Sequence, residues 1–339
     1  MLRSSASGAA HSGLPAGLID LENREPWKNL NERAFEFRHH LQGHPLFCIE
    51  RIAELSERVF DWPGYLRYFG PDEQSLPKPE LKRRLREGIL DIANNGRWLA
   101  LHYVDEVAPE YAQLLDQLFA DIEHLTGRPI RSQMAWGSMS IFMNAPGLSV
   151  PYHFDHDINF LMQVEGEKEV RLYPPGLQTL TIEEIEDFYR HNPMAGRYRD
   201  ELAHMGTAFT LRPGVAVHHP PLAAHKIQNG SAVSVSVSIY FTMPEMEDRA
   251  RVHQANYCLR KLGLKPRPIG ESVYWDAAKV KFIRAMSKRH PVTHDEALYS
   301  GVDRLGLPFR LAKTLRQRAH AHAPSEALVQ TETEAEARH

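Results

Sequence analysis

The spacing of apolar residues divides the chain into a helical first part, a strand-rich middle and a helical last part. Apolar positions recur at helical spacing over residues 30–60, 81–94 and 110–126. From residue 131 to residue 243 the spacing changes to alternation, which is typical of half-buried strands. Helical spacing then returns over residues 245–264, 271–289 and 309–323. The pattern predicts an α+β protein with a β core between two helical regions.

Three details of the first helical region carry predictions. Residues 34–41, AFEFRHHL, are predicted to be helical, with a break at Pro45 before the next helix. The apolar stripe of residues 110–126 predicts a helix that packs on the core. Residues 98–104, WLALHYV, are a candidate strand that would extend the sheet.

Two segments of the middle region have faces of different character. In residues 167–172 the alternation places Lys168 on the same face as the apolar side chains. In residues 233–241 one face is apolar, and the other carries Ser234, Ser236, Ser238 and Tyr240. We interpret the serine face as a small, polar inner wall that leaves space for a ligand. A strand surface that faces solvent is the alternative.

Composition limits the classes of function. The chain has 339 residues with 42% hydrophobic and 24% charged residues, which suits one large core or two modest ones. A net charge of −3 gives no electrostatic drive toward nucleic acid. Two cysteines make no disulfide framework, so a reducing cytoplasm is expected. No apolar run reaches the length of a membrane helix, and the N-terminal residues lack a signal-peptide core.

His153 and Asp155 are the first candidates for chemistry. They lie two residues apart, so in an extended strand both side chains leave the same face. One imidazole and one carboxylate on one face form two-thirds of the 2-His-1-carboxylate triad that holds non-haem Fe(II). His156 and Asp157 offer a rival frame, because Asp155 and Asp157 also share a face.

Lys168 suggests a second component of such a site. If the apolar face of its strand is the inner one, its ammonium points into the core, which is costly unless an anion meets it. A dicarboxylate could chelate a metal with one end and meet the lysine with the other. The alternative is that the long side chain carries its charge outward to water.

The third metal ligand is expected on a later strand. The candidates are His218, His219 and His225. Pro220-Pro221 ends a short strand and places His225 at the start of the next one, which favours His225. His218 or His219 would then line the pocket or support the ligands.

The motifs resemble those of a known family. H-x-D at 153–155, Asn159, Gly166-x-Lys168 and Leu172-Tyr-Pro-Pro175, then Pro213-Gly214 through Pro220-Pro221 to His225, are similar to the JmjC-type, cupin-like Fe(II)- and 2-oxoglutarate-dependent oxygenases. The similarity is greatest to their protein-hydroxylase branch and covers about residues 133–243.

The resemblance implies a fold, a ligand set and cofactors. The fold would be a double-stranded β-helix, the jelly roll of cupins, with flanking helices. His153, Asp155 and His225 would bind Fe(II), which with 2-oxoglutarate and O₂ would hydroxylate a C–H bond. Lys168 would bind the distal carboxylate of 2-oxoglutarate, and Asn159 would lie beside its metal-chelating end.

Some positions depart from the family pattern. Many relatives carry Thr three residues before the first His, where this chain has Val150 with Ser149 beside it. Val215 replaces the usual acidic residue after the Pro-Gly turn, and Ser238 occupies a position that often holds Asn. Gln163 shares the inward parity of Asn159, and both amides need partners inside a barrel. The metal triad is complete, whereas the hydrogen-bond set of the cosubstrate differs.

These observations give a domain plan. It comprises a disordered tail over residues 1–24, a helical region over 25–130, the catalytic core over 131–243, a helical region over 244–322 and a disordered acidic tail over 323–339. An insertion at 176–209, with a helix capped by Thr181, is predicted beside the site as a lid, a substrate wall or a plain surface excursion.

The predicted function is hydroxylation by a cytoplasmic 2-oxoglutarate-dependent oxygenase. A protein or peptide substrate is favoured over a small molecule by analogy with the family. The alternatives are a cupin that uses another metal and a non-catalytic cupin-like binding or regulatory module. Residues 279–318 contain ten Lys or Arg and three Asp or Glu, so the C-terminal helices could form a homodimer, dock a partner or be a solvated face.

Overall fold

A computed structural model describes residues 17–69 and 73–306. The chain forms two compact units, which are described separately. The first contains the described residues up to 188 together with residues 192–248, and the second contains residues 189–191 and those from 249 onward. The predicted helical N-terminal region and the β core therefore share one unit.

Two antiparallel sheets form the centre of the first unit. The strands are β1 (Phe35–Arg38), β2 (Leu66–Arg67), β3 (Trp98–Leu101), β4 (Trp136–Asn144), β5 (Ser149–His153), β6 (Ile158–Glu165), β7 (Lys168–Leu172), β8 (Thr207–Leu211), β9 (Val215–His219), β10 (His225–Asn229) and β11 (Ser234–Thr242). The larger sheet has the order β1-β9-β6-β11-β4-β3-β2, and the smaller has the order β5-β10-β7-β8. This is the predicted jelly-roll architecture, and the α+β fold class is confirmed.

Helices surround the sheets in the sequence order that the apolar pattern predicts. In the first unit they are α1 (Ile49–Val59), α2 (Lys78–Leu90), α3 (Ile92–Asn95), α4 (Val104–Val107), α5 (Pro109–Thr126), α6 (Ile130–Gln133) and α7 (Ile182–Phe188). The stripe of α5 is buried, as predicted for a helix that packs on the core. Two further helices follow, α8 (Pro244–Lys261) and α9 (Val273–Met286).

The two faces of the larger sheet have different partners. Its outer face joins one apolar cluster with the N-terminal segments, in which Phe160 is fully buried and stacks on Trp27 with ring centroids 5.5 Å apart. Val235, Val237 and Ile239 belong to the same cluster. The serines that alternate with them therefore lie on the opposite, inner face, as predicted for a small polar wall.

The space between the sheets has its own small apolar core. Leu161 of β6 and Val217 of β9 meet Val170 and Leu172 of β7 and Leu211 of β8. Because these residues come from both sheets, they identify the inner face of each strand by the alternation of side chains. Residues of equal parity beyond this core line the rest of the interior.

Two local predictions about the N-terminal region were wrong. Residues 35–38 form a strand rather than a helix, because Phe35 and Phe37 are buried while Glu36 and Arg38 are exposed, a period of two. Part of the segment predicted as a disordered tail is ordered, since Ile19 is buried and bridges to His39. Residues 1–16 and the acidic tail at 323–339 lie outside the described residues.

The insertion at 176–209 is ordered around one glutamate. Thr181 and Glu184 form a capping box, in which each side chain accepts a hydrogen bond from the backbone N–H of the other residue. Glu184 also accepts from the Arg197 backbone and the Arg199 guanidinium. Phe188 packs on Phe154 with ring centroids 4.6 Å apart, so the insertion contacts the residue between His153 and Asp155.

The second unit contains the C-terminal part of α8, α9 and a helical stretch over residues 294–306. Lys279 is buried, and its amine donates to the Arg267 carbonyl at 2.9 Å, so this lysine does not belong to a solvated basic face. The predicted helix over residues 309–323 lies outside the described residues. None of the helices that the structure describes combines the length and the apolar character needed to cross a bilayer.

A comparison of Gly147 with Gly166 tests whether the turn before Lys168 requires a residue without a Cβ atom. Gly147 and Gly166 have φ values of +74° and +68°, but only at Gly166 would a Cβ meet backbone, at 2.1 Å from the Val233 oxygen. We expect Gly147→Ala to lower the free energy of unfolding by about 1–2 kcal/mol, from the left-handed backbone alone. Gly166→Ala should cost about 1–3 kcal/mol more, because the backbone must shift. Urea denaturation of both variants measures the difference, and equal losses would contradict this account of the turn.

Candidate metal centre

Two adjacent strands bring the candidate ligands together. β5 and β10 pair antiparallel, and His153 lies opposite His225 in the register. Strand β5 ends at His153, so Asp155 reaches the site from the following turn rather than by strand alternation, which corrects the sequence-based reason for its position. The turn is held by the Leu222 N–H, which donates to the Asp155 carbonyl at 2.9 Å.

The three side chains have the geometry of a facial metal site. One ligand atom from each of His153, Asp155 and His225 lies within 4.8 Å of the other two. His225 Nε2 is 3.8 Å from Asp155 Oδ2, and the two imidazole centroids are 4.2 Å apart. Within the part of the chain that the structure describes, no other group of three His, Cys, Asp or Glu side chains is close enough to hold one ion. The rival frame built on His156 and Asp157 is therefore not assembled.

Backbone carbonyls orient both imidazoles. His153 Nδ1 lies 2.8 Å from the Pro151 oxygen, and His225 Nδ1 lies 3.1 Å from the Ala223 oxygen. Since a carbonyl only accepts, each Nδ1 carries the proton and each Nε2 keeps its lone pair for a ligand. This arrangement is the usual support of histidines that bind metals.

The surroundings of His225 keep its imidazole neutral. Burial lowers the pKa of His225, the neighbouring His153 lowers it further, and the Asp155 carboxylate opposes both effects. Neutral imidazole is the form that binds a metal, so a lowered pKa favours ligation at neutral pH. Asp155 keeps 39% of its side chain exposed, and its carboxylate is the open side of the cluster. Two imidazoles and one carboxylate fit a divalent metal of the iron class, because they supply one face and leave other positions open.

Lys168 points into the interior without a partner. It shares the inner face of β7 with Val170 and Leu172, it is 2% exposed, and none of the described acidic side chains pairs with it. Its neighbour across the β7–β10 pair, Asn229, directs its amide to the Leu148 carbonyl. Burial lowers the pKa of the Lys168 amine to about 7. The side chain does not carry its charge to water, which excludes the snorkelling alternative.

The polar residues of the inner wall fall into two groups. Asn159 and Ser238 are joined, because the Ser238 hydroxyl donates to the Asn159 amide oxygen at 2.8 Å. Gln163 is satisfied by the protein itself. Its amide nitrogen donates to the Ser234 hydroxyl and the Glu165 carbonyl, and its oxygen accepts from Ser236. Gln163 and Ser236 therefore have a structural role. The amide NH₂ of Asn159, in contrast, can donate to a ligand.

Tyr240 belongs to a network that the sequence did not reveal. Its hydroxyl lies 2.7 Å from the Ser140 hydroxyl, which in turn lies 3.0 Å from His102 Nδ1. The His102 Nε2 atom is buried without a partner, and the Asp155 carboxylate is near enough to affect its pKa. Alternation along β3 could have found His102, because it has the parity of Ala100 and not that of the core residues Leu99 and Leu101.

Two predicted pocket residues lie elsewhere. Ser149 is exposed and donates to the Gln228 side chain at the sheet surface. His218 lies on the outer face of the larger sheet, where it packs on Phe35 and Phe160 with ring centroids 4.9 Å away in each case. The difference between His218 and its neighbour follows from the alternation of β9, which sends His219 inward. His219 lies beside His225, with ring centroids 4.7 Å apart.

The sequence comparison assigns a family to this segment. Residues 100–247 match the profile of the cupin-like domain family. This part of the chain is similar to a cupin-like domain. The matched segment includes the end of β3 and all of β4 to β11, and hence His102, the three candidate ligands and Lys168. A comparison with curated proteins found no match.

Solved structures similar to this chain include one titled a ribosomal oxygenase. The X-ray structure of E. coli YcfD is 17% identical, with a TM-score of 0.33, and the match covers 65% of this chain and 49% of that one. YcfD, titled a ribosomal oxygenase from Escherichia coli, in complex with cobalt and 2-oxoglutarate, is 18% identical, with a TM-score of 0.32 and coverage of 66% and 48%. DMSP lyase DddQ from Ruegeria pomeroyi is 15% identical, with a TM-score of 0.21 and coverage of 32% and 40%.

The chain thus spans about half the length of the YcfD chains that it matches. At such low identities and TM-scores the likeness carries no argument about activity. The chemistry that this chain can perform depends on its own side chains.

Asp155 and Asp157 form a matched pair for a metal-binding test. We expect Asp155→Ala to lower the affinity for Co(II) by at least about 100-fold, because it removes the only carboxylate of the cluster. Asp157→Asn should keep the affinity for Co(II) within about three-fold of the wild-type value, because Asp157 is not a member of the metal cluster. Titration calorimetry with Co(II) measures both. Loss of the metal by the Asp157 variant alone would favour the rival frame.

Lys168 offers a stability test that needs no ligand. The unfolded chain binds a proton at pKa 10.5 that the folded chain releases near pH 7, so the wild type gains stability as pH rises between these values. We expect Lys168→Met to raise the free energy of unfolding at pH 7 by about 1–3 kcal/mol, by removing a buried amine. The gain should shrink toward pH 10. Lys226→Met on the outward face of β10 is the control, and an equal gain there would contradict the burial argument.

Proposed function

We propose that this chain is an Fe(II)- and 2-oxoglutarate-dependent oxygenase that hydroxylates a C–H bond. The observation that carries the proposal is a buried, unpaired lysine in the same interior as a facial group of two imidazoles and one carboxylate. A metal site alone suits many cupins. A metal site together with an inward ammonium requires an anion that reaches both.

The strand register supports a ligand of limited length. On one side of β10, His225 lies opposite Leu172, while Lys168 lies opposite Asn229 at the other end of the same pairing. Four residues along a strand separate the two backbone positions by about 13 Å. Both side chains enter the interior, and the long, flexible stem of the lysine can cover part of this distance. A short dicarboxylate such as 2-oxoglutarate fits this separation better than a single small anion.

The chain's own residues have separable roles in this reaction. His153, Asp155 and His225 would hold the metal, and the bound iron with its cosubstrate supplies the oxidising power that breaks a C–H bond. Lys168 would fix the distal carboxylate, and Asn159, oriented by Ser238, would donate to the chelating end. The insertion packs on Phe154 and so closes one side of the ligand-bearing turn against water.

The lysine also distinguishes the proposal from its two alternatives. A cupin that uses another metal for hydrolysis or isomerisation has no need of an inward ammonium. A non-catalytic module would have no reason to keep a buried amine whose desolvation lowers its pKa to about 7. An arriving carboxylate would restore the ordinary pKa of the amine, so binding of the anion and protonation of Lys168 support each other.

The finer features of the proposal rest on the family resemblance. We infer iron as the metal, a cytoplasmic location and a protein or peptide substrate rather than a small metabolite. A homodimer through the C-terminal helices stays a prediction. In the second unit Tyr274 and Trp275 at the start of α9 are exposed.

Turnover of the cosubstrate tests the activity. Wild-type protein with Fe(II) and ascorbate is expected to release succinate from 2-oxoglutarate. Asp155→Ala should abolish the release, and Lys168→Met should require a higher 2-oxoglutarate concentration, by about 10–100-fold, because a charge-assisted contact is lost. Asp157→Asn is the active control. Metal-loaded wild type that neither binds nor consumes 2-oxoglutarate would support one of the alternatives.

The substrate class needs a separate measurement. Candidate peptides or a cell extract incubated with the active protein and with Asp155→Ala are compared by mass spectrometry for the gain of one oxygen atom. A modified peptide seen only with the active protein supports a protein hydroxylase. Oxidation confined to small metabolites would contradict that part of the proposal.

A further inference from the structure

One buried side chain of the interior has no role in the site described so far. His219 is 3% exposed, and both of its ring nitrogens are buried without a hydrogen-bond partner among the described residues. An imidazole in either tautomer has one N–H that must donate, and leaving it unpaired costs about 1–3 kcal/mol. An apolar residue at this position of β9 would avoid the cost. A ligand that supplies the missing acceptor accounts for it.

The position of His219 identifies which part of a ligand it would meet. Its ring contacts that of His225, with centroids 4.7 Å apart in an edge-to-face arrangement. His219 is not a member of the three-residue metal cluster. It is therefore next to a candidate ligand residue without being one, whereas Lys168 lies at the opposite end of the β7–β10 pairing from His225. This is the end of the cavity where a chelating group would bind.

A second donor lies beside it. Asn159 is directly opposite His219 in the β6–β9 register, so both side chains leave the same face of the larger sheet at neighbouring positions. The Asn159 oxygen is occupied by the Ser238 hydroxyl, which leaves the amide nitrogen to donate. Two donors side by side match the two oxygens of a carboxylate.

The interior also lacks a donor that the family resemblance leads one to expect. Position 150, where many relatives carry Thr, is a valine in this chain, and it lies opposite Ile227. Neither side chain can donate a hydrogen bond. His219, on β9 of the other sheet, provides an N–H to the interior, so the cosubstrate would keep its number of partners by a different route.

We propose that His219 is a positioning residue that, with Asn159, donates a hydrogen bond to the chelating carboxylate of the bound cosubstrate. This inference rests on the proposed function. It assigns His219 to the metal end of 2-oxoglutarate and Lys168 to the distal end. The two residues should therefore respond differently to ligands that contain only one of these ends.

Calorimetry with three probes separates the two roles. The protein is loaded with Co(II) and titrated with 2-oxoglutarate or with oxalate, which contains the chelating group and no distal carboxylate. His219→Leu should weaken both probes by about 10–100-fold, the effect of one lost charge-assisted hydrogen bond, while Co(II) itself binds as in wild type. His219→Gln keeps an N–H and should recover most of the affinity. Lys168→Met should weaken 2-oxoglutarate and leave oxalate unchanged.

The outcomes distinguish failure of the inference from failure of the proposed function. Wild type that binds neither Co(II) nor 2-oxoglutarate overturns the proposed function and this inference with it. Wild type that binds both, together with a His219→Leu variant that binds oxalate equally well, overturns the inference alone. Loss of Co(II) by His219→Leu would also overturn it, because His219 would then be a metal ligand.

A measurement on the wild type covers the case in which His219→Leu does not fold. Protein labelled with ¹⁵N-histidine is loaded with diamagnetic Zn(II), and the His219 ring resonances are identified by their absence in His219→Gln. Addition of oxalate should shift the ring N–H and protect it from exchange with solvent. Unchanged His219 resonances under saturating oxalate would overturn the inference.

Discussion

The pairing of β10 with its two neighbours fixes the relative positions of the two candidate histidine ligands and Lys168. On one edge β10 pairs with β5 and sets His225 opposite His153, and on the other it pairs with β7 and sets His225 opposite Leu172. Lys168 then falls four residues away on the same strand as Leu172. A register slip of one residue would send His225 to the outer face and bring Lys226 inward, which would remove both the metal site and its relation to the lysine. The small apolar core between the sheets opposes such a slip, because Ile227 of β10 packs against this core and would turn outward together with His225.

Alternate residues along the strands of the larger sheet have different roles: those on one face stabilise the fold, and those on the other face line the site. Its outer face buries aromatic and branched side chains against the N-terminal segments, with Phe160 and Phe241 among the fully buried residues. Its inner face carries serines, an amide and His219, which contribute little apolar area. The fold thus has its main hydrophobic stabilisation outside the jelly roll, and the interior is free to hold polar groups. The N-terminal region is for this reason part of the same compact unit as the strands that follow it.

The sequence predicts those features of the fold and the site that depend on residues close together in the chain. The alternation of β11 predicted a polar inner wall, and the Pro220-Pro221 break separated His225 from its neighbours, because both signals are local. The strand at Phe35 was missed because four residues are too few to distinguish a period of two from helical spacing. Asp155 was brought to its ligand position by a turn, which depends on Leu222 and Phe188 and is not visible in the alternation. The satisfaction of Gln163 by Ser234 and Ser236, and the isolation of His219, depend on pairings across more than 50 residues and required coordinates.

Polar groups on the inner faces of the sheets differ in whether the protein itself supplies their partners. Gln163, on the inner face of β6, has partners for both ends of its amide within the protein. Lys168, His219 and the Nε2 atom of His102 have none among the described residues, and each lies where the metal, the cosubstrate or the substrate would supply one. A fold under selection for stability alone would replace these three with apolar residues of similar size. The three metal ligands define only the position of the metal. The three unpaired groups around it also define the direction and the length of the ligand, so they locate the binding function more specifically.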